Sequence, residues 1–67
     1  MASGTRYRVL AAIQTYCERH GMPPTLEELR EMVGVKSKTT VLHHLRMLEK
    51  LGFLERDEYK HRGISLL

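Results

Sequence analysis

The chain has 67 residues, 28% of them charged and 42% hydrophobic, with a formal net charge of +3. That is enough for one small domain with one core, burying about 60% of its unfolded surface, and leaves little chain for an enclosed active site. The charged and apolar fractions exclude a disordered chain, the lone Cys17 excludes an internal disulfide and fits a reducing interior, and no apolar run has transmembrane or signal-peptide length.

The first helix is expected from about Thr5 to His20. Val9, Leu10, Ile13, Tyr16 and Cys17 recur at helical spacing and form one apolar stripe. Residues 1–4 are expected to be disordered or an expression remnant, and residues 1–67 one domain. Gly21 supplies a stop, and Pro23-Pro24 force an extended link, with a very short extra strand near Met22-Pro23 as an option.

Thr25 opens the second helix. Its hydroxyl can accept from the Glu28 N–H while the Glu28 carboxylate reaches back to the Thr25 N–H, a capping box. Leu26, Leu29, Met32 and Val33 are the expected buried stripe. Gly34 then ends the helix in the left-handed region, Val35 plugs the turn into the core, and Ser37 caps the third helix. Two helices separated by so short a turn make a helix-turn-helix.

At about 100° per residue, Val41, Leu45 and Leu48 share the buried face of helix three. Thr39, His43, Arg46 and Lys50 lie opposite and include no acid. Thr40 and Met47 flank this stripe on one side and Leu42 on the other. A polar stripe is ordinarily a solvated face. Here it lies on the second helix of a helix-turn-helix, with Lys36 and Lys38 at its entrance. Thr and His can bond to base edges, and Thr or Leu methyls can touch a thymine methyl. Arg46, Lys50, Lys36 and Lys38 suit phosphates.

After Gly52 the period changes. FLER and GISLL read as two strands around a charged turn, a hairpin carrying Arg56, Tyr59, Lys60, His61 and Arg62. Lys60 and Arg62 are candidate DNA-backbone contacts. Asp57 and Glu58 favour instead a hairpin that only keeps the domain soluble and masks a sheet edge. The fold class is therefore mainly α with a small β-hairpin, a three-helix winged helix-turn-helix. Residues 1–34 hold four Lys/Arg against four acids, and residues 35–67 hold seven against four, so the whole positive excess lies from the turn onward. A localised excess of that kind suits a polyanion.

Catalytic and metal chemistry find no constellation. Cys17 and His20 are two ligands where a structural zinc needs four, and the adjacent His43 and His44 point about 100° apart. Ser3, Ser37 and Ser65 have no positioned base, and no Gly-rich phosphate loop occurs. No enzyme activity, metal, cofactor or small-molecule substrate is expected.

The segments GMPPTLEEL, GVKSKTTVLHHLRMLEKLGFLERD and RGISLL, in this order and covering nearly the whole chain, resemble the N-terminal DNA-binding domain of LexA-type SOS repressors. The resemblance implies a bacterial cytoplasmic, nucleoid-associated protein that binds a palindromic double-stranded operator as a dimer, is weakly dimeric or monomeric alone, and represses DNA-damage genes. It implies base reading by Ser37, Thr39, Thr40, Leu42 and His43. Leu42 departs from the family pattern, which is usually polar there, so the operator sequence is not carried over. Family members also have a second domain with a Ser-Lys dyad. The chain stops at Leu67, before that domain, as an excised DNA-binding domain or a stand-alone small regulator. The competing reading is a winged helix that binds protein, not DNA.

Overall fold

The computed structural model describes residues 4–67. The expectation for residues 1–3 lies outside this range, and Gly4 already belongs to the first helix. The order is α1 (Gly4–His20), α2 (Leu26–Val33), α3 (Lys38–Lys50), β1 (Leu54–Arg56) and β2 (Ile64–Leu66). β1 and β2 pair antiparallel, with Leu54 opposite Leu66, Glu55 opposite Ser65 and Arg56 opposite Ile64. This is the winged helix-turn-helix that the sequence predicts.

The α2 boundaries follow from local chemistry. The Glu28 N–H donates to Thr25 Oγ1 at 3.1 Å, and the Thr25 N–H donates to Glu28 Oε1 at 2.8 Å. Both halves of the capping box are therefore present. Gly34 closes the helix at φ 81°, where a side chain would be strained, and its N–H reaches the Arg30 carbonyl at 2.9 Å. Ser37 Oγ accepts from the Thr40 N–H at 3.3 Å and caps α3.

The core collects Val9 and Ile13 from α1, Leu29 and Val33 from α2, Val41, Leu45 and Leu48 from α3, and Leu54 and Ile64 from the hairpin. Leu10, Cys17, Leu26 and Val35 pack against it, partly buried. Each helix contributes residues at helical spacing, so one face of each is removed from water. The predicted buried face of α3 is correct residue for residue.

Two expectations need correction. Met32 is 44% exposed, not buried. It lies about 90° from the middle of the Leu26, Leu29 and Val33 stripe, at the edge of the core face. Near Met22-Pro23, no strand forms; among the described residues the sheet has two strands. The Pro23 carbonyl accepts instead from Arg62 Nη1 at 3.0 Å.

Side chains from α1 and α2 fasten the turn between α2 and α3: Arg8 Nη2 donates to the Val33 carbonyl, and Arg30 bridges Glu27 and the turn. Arg30 donates from Nε and Nη2 to Glu27 Oε1, at 2.9 and 2.6 Å, and from Nη1 to the Val35 carbonyl at 3.1 Å. In the hairpin, the Asp57 N–H donates to the Gly63 carbonyl at 2.8 Å and closes the base of the wing, residues 57–63.

Candidate nucleic-acid interface

The buried face of α3 dictates what its other face presents. Val41, Leu45 and Leu48 are fully buried, so Thr39, His43, Arg46 and Lys50 project outward, and all four are exposed. Lys36, Ser37, Lys38 and Thr40 are exposed at the helix entrance. Leu42 is half-buried at the edge of the face. Residues 36–50 contain four Lys/Arg and one acid, Glu49. No acid stands in the first turn of α3.

Within this face, Ser37 and Thr40 are not independent. Their hydroxyls lie 3.2 Å apart, and Ser37 Oγ also accepts the Thr40 N–H. Ser37 therefore serves the helix cap, and its hydroxyl is shared with that of Thr40. His43 packs edge-on against His44, ring centroids 5.4 Å apart. His44 is half-buried, with its Nδ1 buried and without a hydrogen-bond partner. Burial holds its pKa below the ordinary imidazole value, and the neighbouring charges of His43 and Arg6 push the same way.

The candidate phosphate contacts differ from one another in what already occupies them. Among the described residues Lys36, Arg46 and Lys50 have no ion-pair partner. Lys38 Nζ lies 3.4 Å from Glu27 Oε2, and Lys60 Nζ lies 4.0 Å from Asp57 Oδ2. Lys38, Lys60 and Glu27 line a cleft of about 380 Å³ between the α2 N-terminus and the wing, with Arg56 and Tyr59. At the wing turn the Tyr59 N–H donates to Asp57 Oδ1 at 3.0 Å, and the Tyr59 side chain is 97% exposed.

Arg62, expected as a DNA-backbone contact, already has partners within the domain. Its guanidinium turns onto the helical body and grips the Glu28 carboxylate through both ends, Nη1 to Oε1 at 2.7 Å and Nη2 to Oε2 at 3.1 Å. The Tyr16 hydroxyl donates to Glu28 Oε2 at 3.1 Å. These bonds and the Thr25 N–H hold the Glu28 pKa at about 2, with the Arg62 bond contributing most. Sequence reasoning identifies Glu28 as a cap and misses it as an ion-pair partner, because nothing local in the chain links it to Arg62.

A capped helix-turn-helix with an exposed, acid-free stripe on its second helix, followed by a two-stranded hairpin, makes a winged helix of the kind that binds nucleic acid. The LexA DNA-binding domain model matches residues 4–63. Similar curated proteins are the LexA repressor of a Nocardioides species, 42% identical over 88% of this chain and 24% of its own length, and that of Carboxydothermus hydrogenoformans, 38% identical over 90% and 29%. A third, the LexA repressor of a Parafrankia species, is 41% identical over 98% of this chain and 28% of its own length. The chain belongs to the LexA DNA-binding domain family. It spans about a quarter of the length of these relatives.

Proposed function

We propose that the domain is the operator-reading part of a transcriptional repressor of the DNA-damage response. It lays α3 in the major groove of double-stranded DNA and represses by occlusion. Thr39, Thr40, His43 and Leu42 read base edges and thymine methyls, with Ser37 at the entrance. Lys36, Lys38, Arg46, Lys50 and, from the wing, Lys60 neutralise phosphates and set the register. Two copies occupy a palindromic site with half-sites about one helical turn, or a multiple of it, apart. A single copy binds weakly, since one module buries little surface. The role is regulatory, with no chemical step, and belongs to the bacterial cytoplasm, on the nucleoid. No helix is long and apolar enough to cross a membrane among the described residues.

The observation that carries this reading is the exposed face of α3. Its polar, acid-free stripe stands opposite Val41, Leu45 and Leu48, on the second helix of the helix-turn-helix. Selection of bound sites from a random duplex pool tests it. The expected result is an enriched, two-fold symmetric sequence with affinity that falls steeply as salt rises. Enrichment of nothing, with no binding of any duplex at low salt, overturns it in favour of a protein-binding winged helix.

A further inference from the structure

The wing loop, residues 57–63, is joined to the helical body by a single side chain. Among the described residues, every side-chain hydrogen bond between this loop and the rest of the domain is made by Arg62. Its partners come from three separate segments: Tyr16 Oη on α1 at 3.3 Å, the Pro23 carbonyl in the link at 3.0 Å, and both Glu28 oxygens on α2. The guanidinium also lies over the Tyr16 ring, 5.8 Å from its centroid. The other polar contacts of the loop are internal, through Asp57 to Tyr59 and Lys60.

We infer that Arg62 is a positioning residue for DNA binding, a clamp that sets where the wing stands relative to α3, and not a phosphate contact. The inference rests on the DNA-binding reading above. Arg62 spends its Nη donors on protein acceptors, and its charge is matched by a carboxylate 2.7 Å away. Glu28 is fixed in turn by the cap of α2, so the clamp refers the wing to the helix that braces α3. The planar fork suits this task, because two parallel bonds to a carboxylate fix direction as well as distance. A wing that is already ordered does not lose conformational freedom when it meets DNA. It also acts as a second contact linked to the first, so its gain depends on the two being held at the correct spacing.

The test compares wild type, Arg62→Gln, Arg62→Lys and Glu28→Gln on the duplex selected by the wild type. Glu28→Gln leaves the capping box intact, since glutamine serves at that position. It also raises the net positive charge, which on general electrostatics strengthens DNA binding. The clamp predicts the opposite: all three variants weaken binding by about 2- to 10-fold, the cost of ordering such a side chain and loop on binding. The slope of log affinity against log salt stays within about half a unit of wild type. Tyr16→Phe, which removes one hydroxyl, weakens it less.

Two results overturn the clamp. One is Glu28→Gln binding as tightly as wild type or tighter. The other is Arg62→Gln lowering the salt slope by about one while Arg62→Lys restores affinity, the mark of a phosphate contact. Hydrogen exchange of the DNA-free protein separates failure of the clamp from failure of the DNA reading. The Lys60 amide, bonded to the Asp57 carbonyl at 3.2 Å, exchanges faster in Arg62→Gln and Glu28→Gln while α3 keeps its protection. Unchanged exchange at Lys60 refutes the clamp even if no duplex binds.

Discussion

Lys38 Nζ stands 3.4 Å from Glu27 Oε2, so the first cation of α3 is already paired within the domain. Both side chains are well exposed, 60% for Lys38 and 45% for Glu27, so the pair is weak and screened. A phosphate must still displace or share it. Glu27→Gln is expected to strengthen binding to random duplex by about 2- to 5-fold at low salt and to steepen the salt slope by up to about one, as Lys38 becomes free to release a counterion. A filter-binding or anisotropy titration at several salt concentrations reads both quantities. Unchanged affinity and slope place Lys38 away from the DNA.

The face opposite Val41, Leu45 and Leu48 carries the sequence-specific contacts proposed above. Thr39→Ala and His43→Ala are expected to cost about 1–3 kcal/mol on the preferred site and much less on random duplex. Site selection repeated with each variant shows which base position relaxes. A uniform loss on every sequence assigns these side chains to phosphates. Both are exposed and outside the core, so folding stability is expected to change by less than about 0.5 kcal/mol.

What the sequence made legible is what local chemistry controls. Thr25 and Glu28 are three residues apart, Ser37 and Thr40 likewise, and Gly34 follows directly on the last apolar residue of α2, so a cap, a second cap and a stop can be read from spacing alone. The exposed face of α3 was legible for the same reason: once Val41, Leu45 and Leu48 are assigned inward, the helical period assigns Thr39, His43, Arg46 and Lys50 outward. Arg62 was not legible. Its partners Glu28, Pro23 and Tyr16 are 34, 39 and 46 residues away, and only the folded chain brings a wing arginine to the cap of α2. Met32 failed more mildly, because helical spacing ranks an edge residue with its neighbours until the packing partner is known.

Gly63 gives a test of the wing that leaves every proposed contact side chain in place. A Cβ added there would sit 2.2 Å from the Asp57 carbonyl oxygen, a backbone atom that cannot swing aside. The same Asp57 residue bonds the Gly63 carbonyl through its N–H, so the two strands approach closely at the base of the wing. Gly63→Ala is expected to destabilise the domain by about 1–3 kcal/mol, as overpacking does elsewhere. Thermal unfolding measures this. An unchanged melting temperature means that residues 57–63 open without disturbing the core.

Acid should weaken the fold in two separable windows. His44 has its pKa lowered from 6.5, first by burial and then by His43 and Arg6, so the folded state resists protonation that the unfolded chain accepts. Its contribution is fully present above about pH 6.5 and is lost as pH falls below that value. Glu28 is a carboxylate held down from 4.5 to about 2, first by Arg62, then by the Thr25 N–H and Tyr16. Its contribution is fully present above about pH 4.5 and is lost as pH falls toward 2. Melting temperature measured from pH 7.5 to 2 should therefore decline in two limbs. His44→Leu, which also removes a buried Nδ1 without a partner, should flatten the upper limb alone. Glu28→Gln should lower the neutral plateau and flatten the lower limb alone, because an uncharged amide has nothing to lose to acid. A variant that shifts the whole curve without changing either limb would show that neither group titrates differently in the folded and unfolded states.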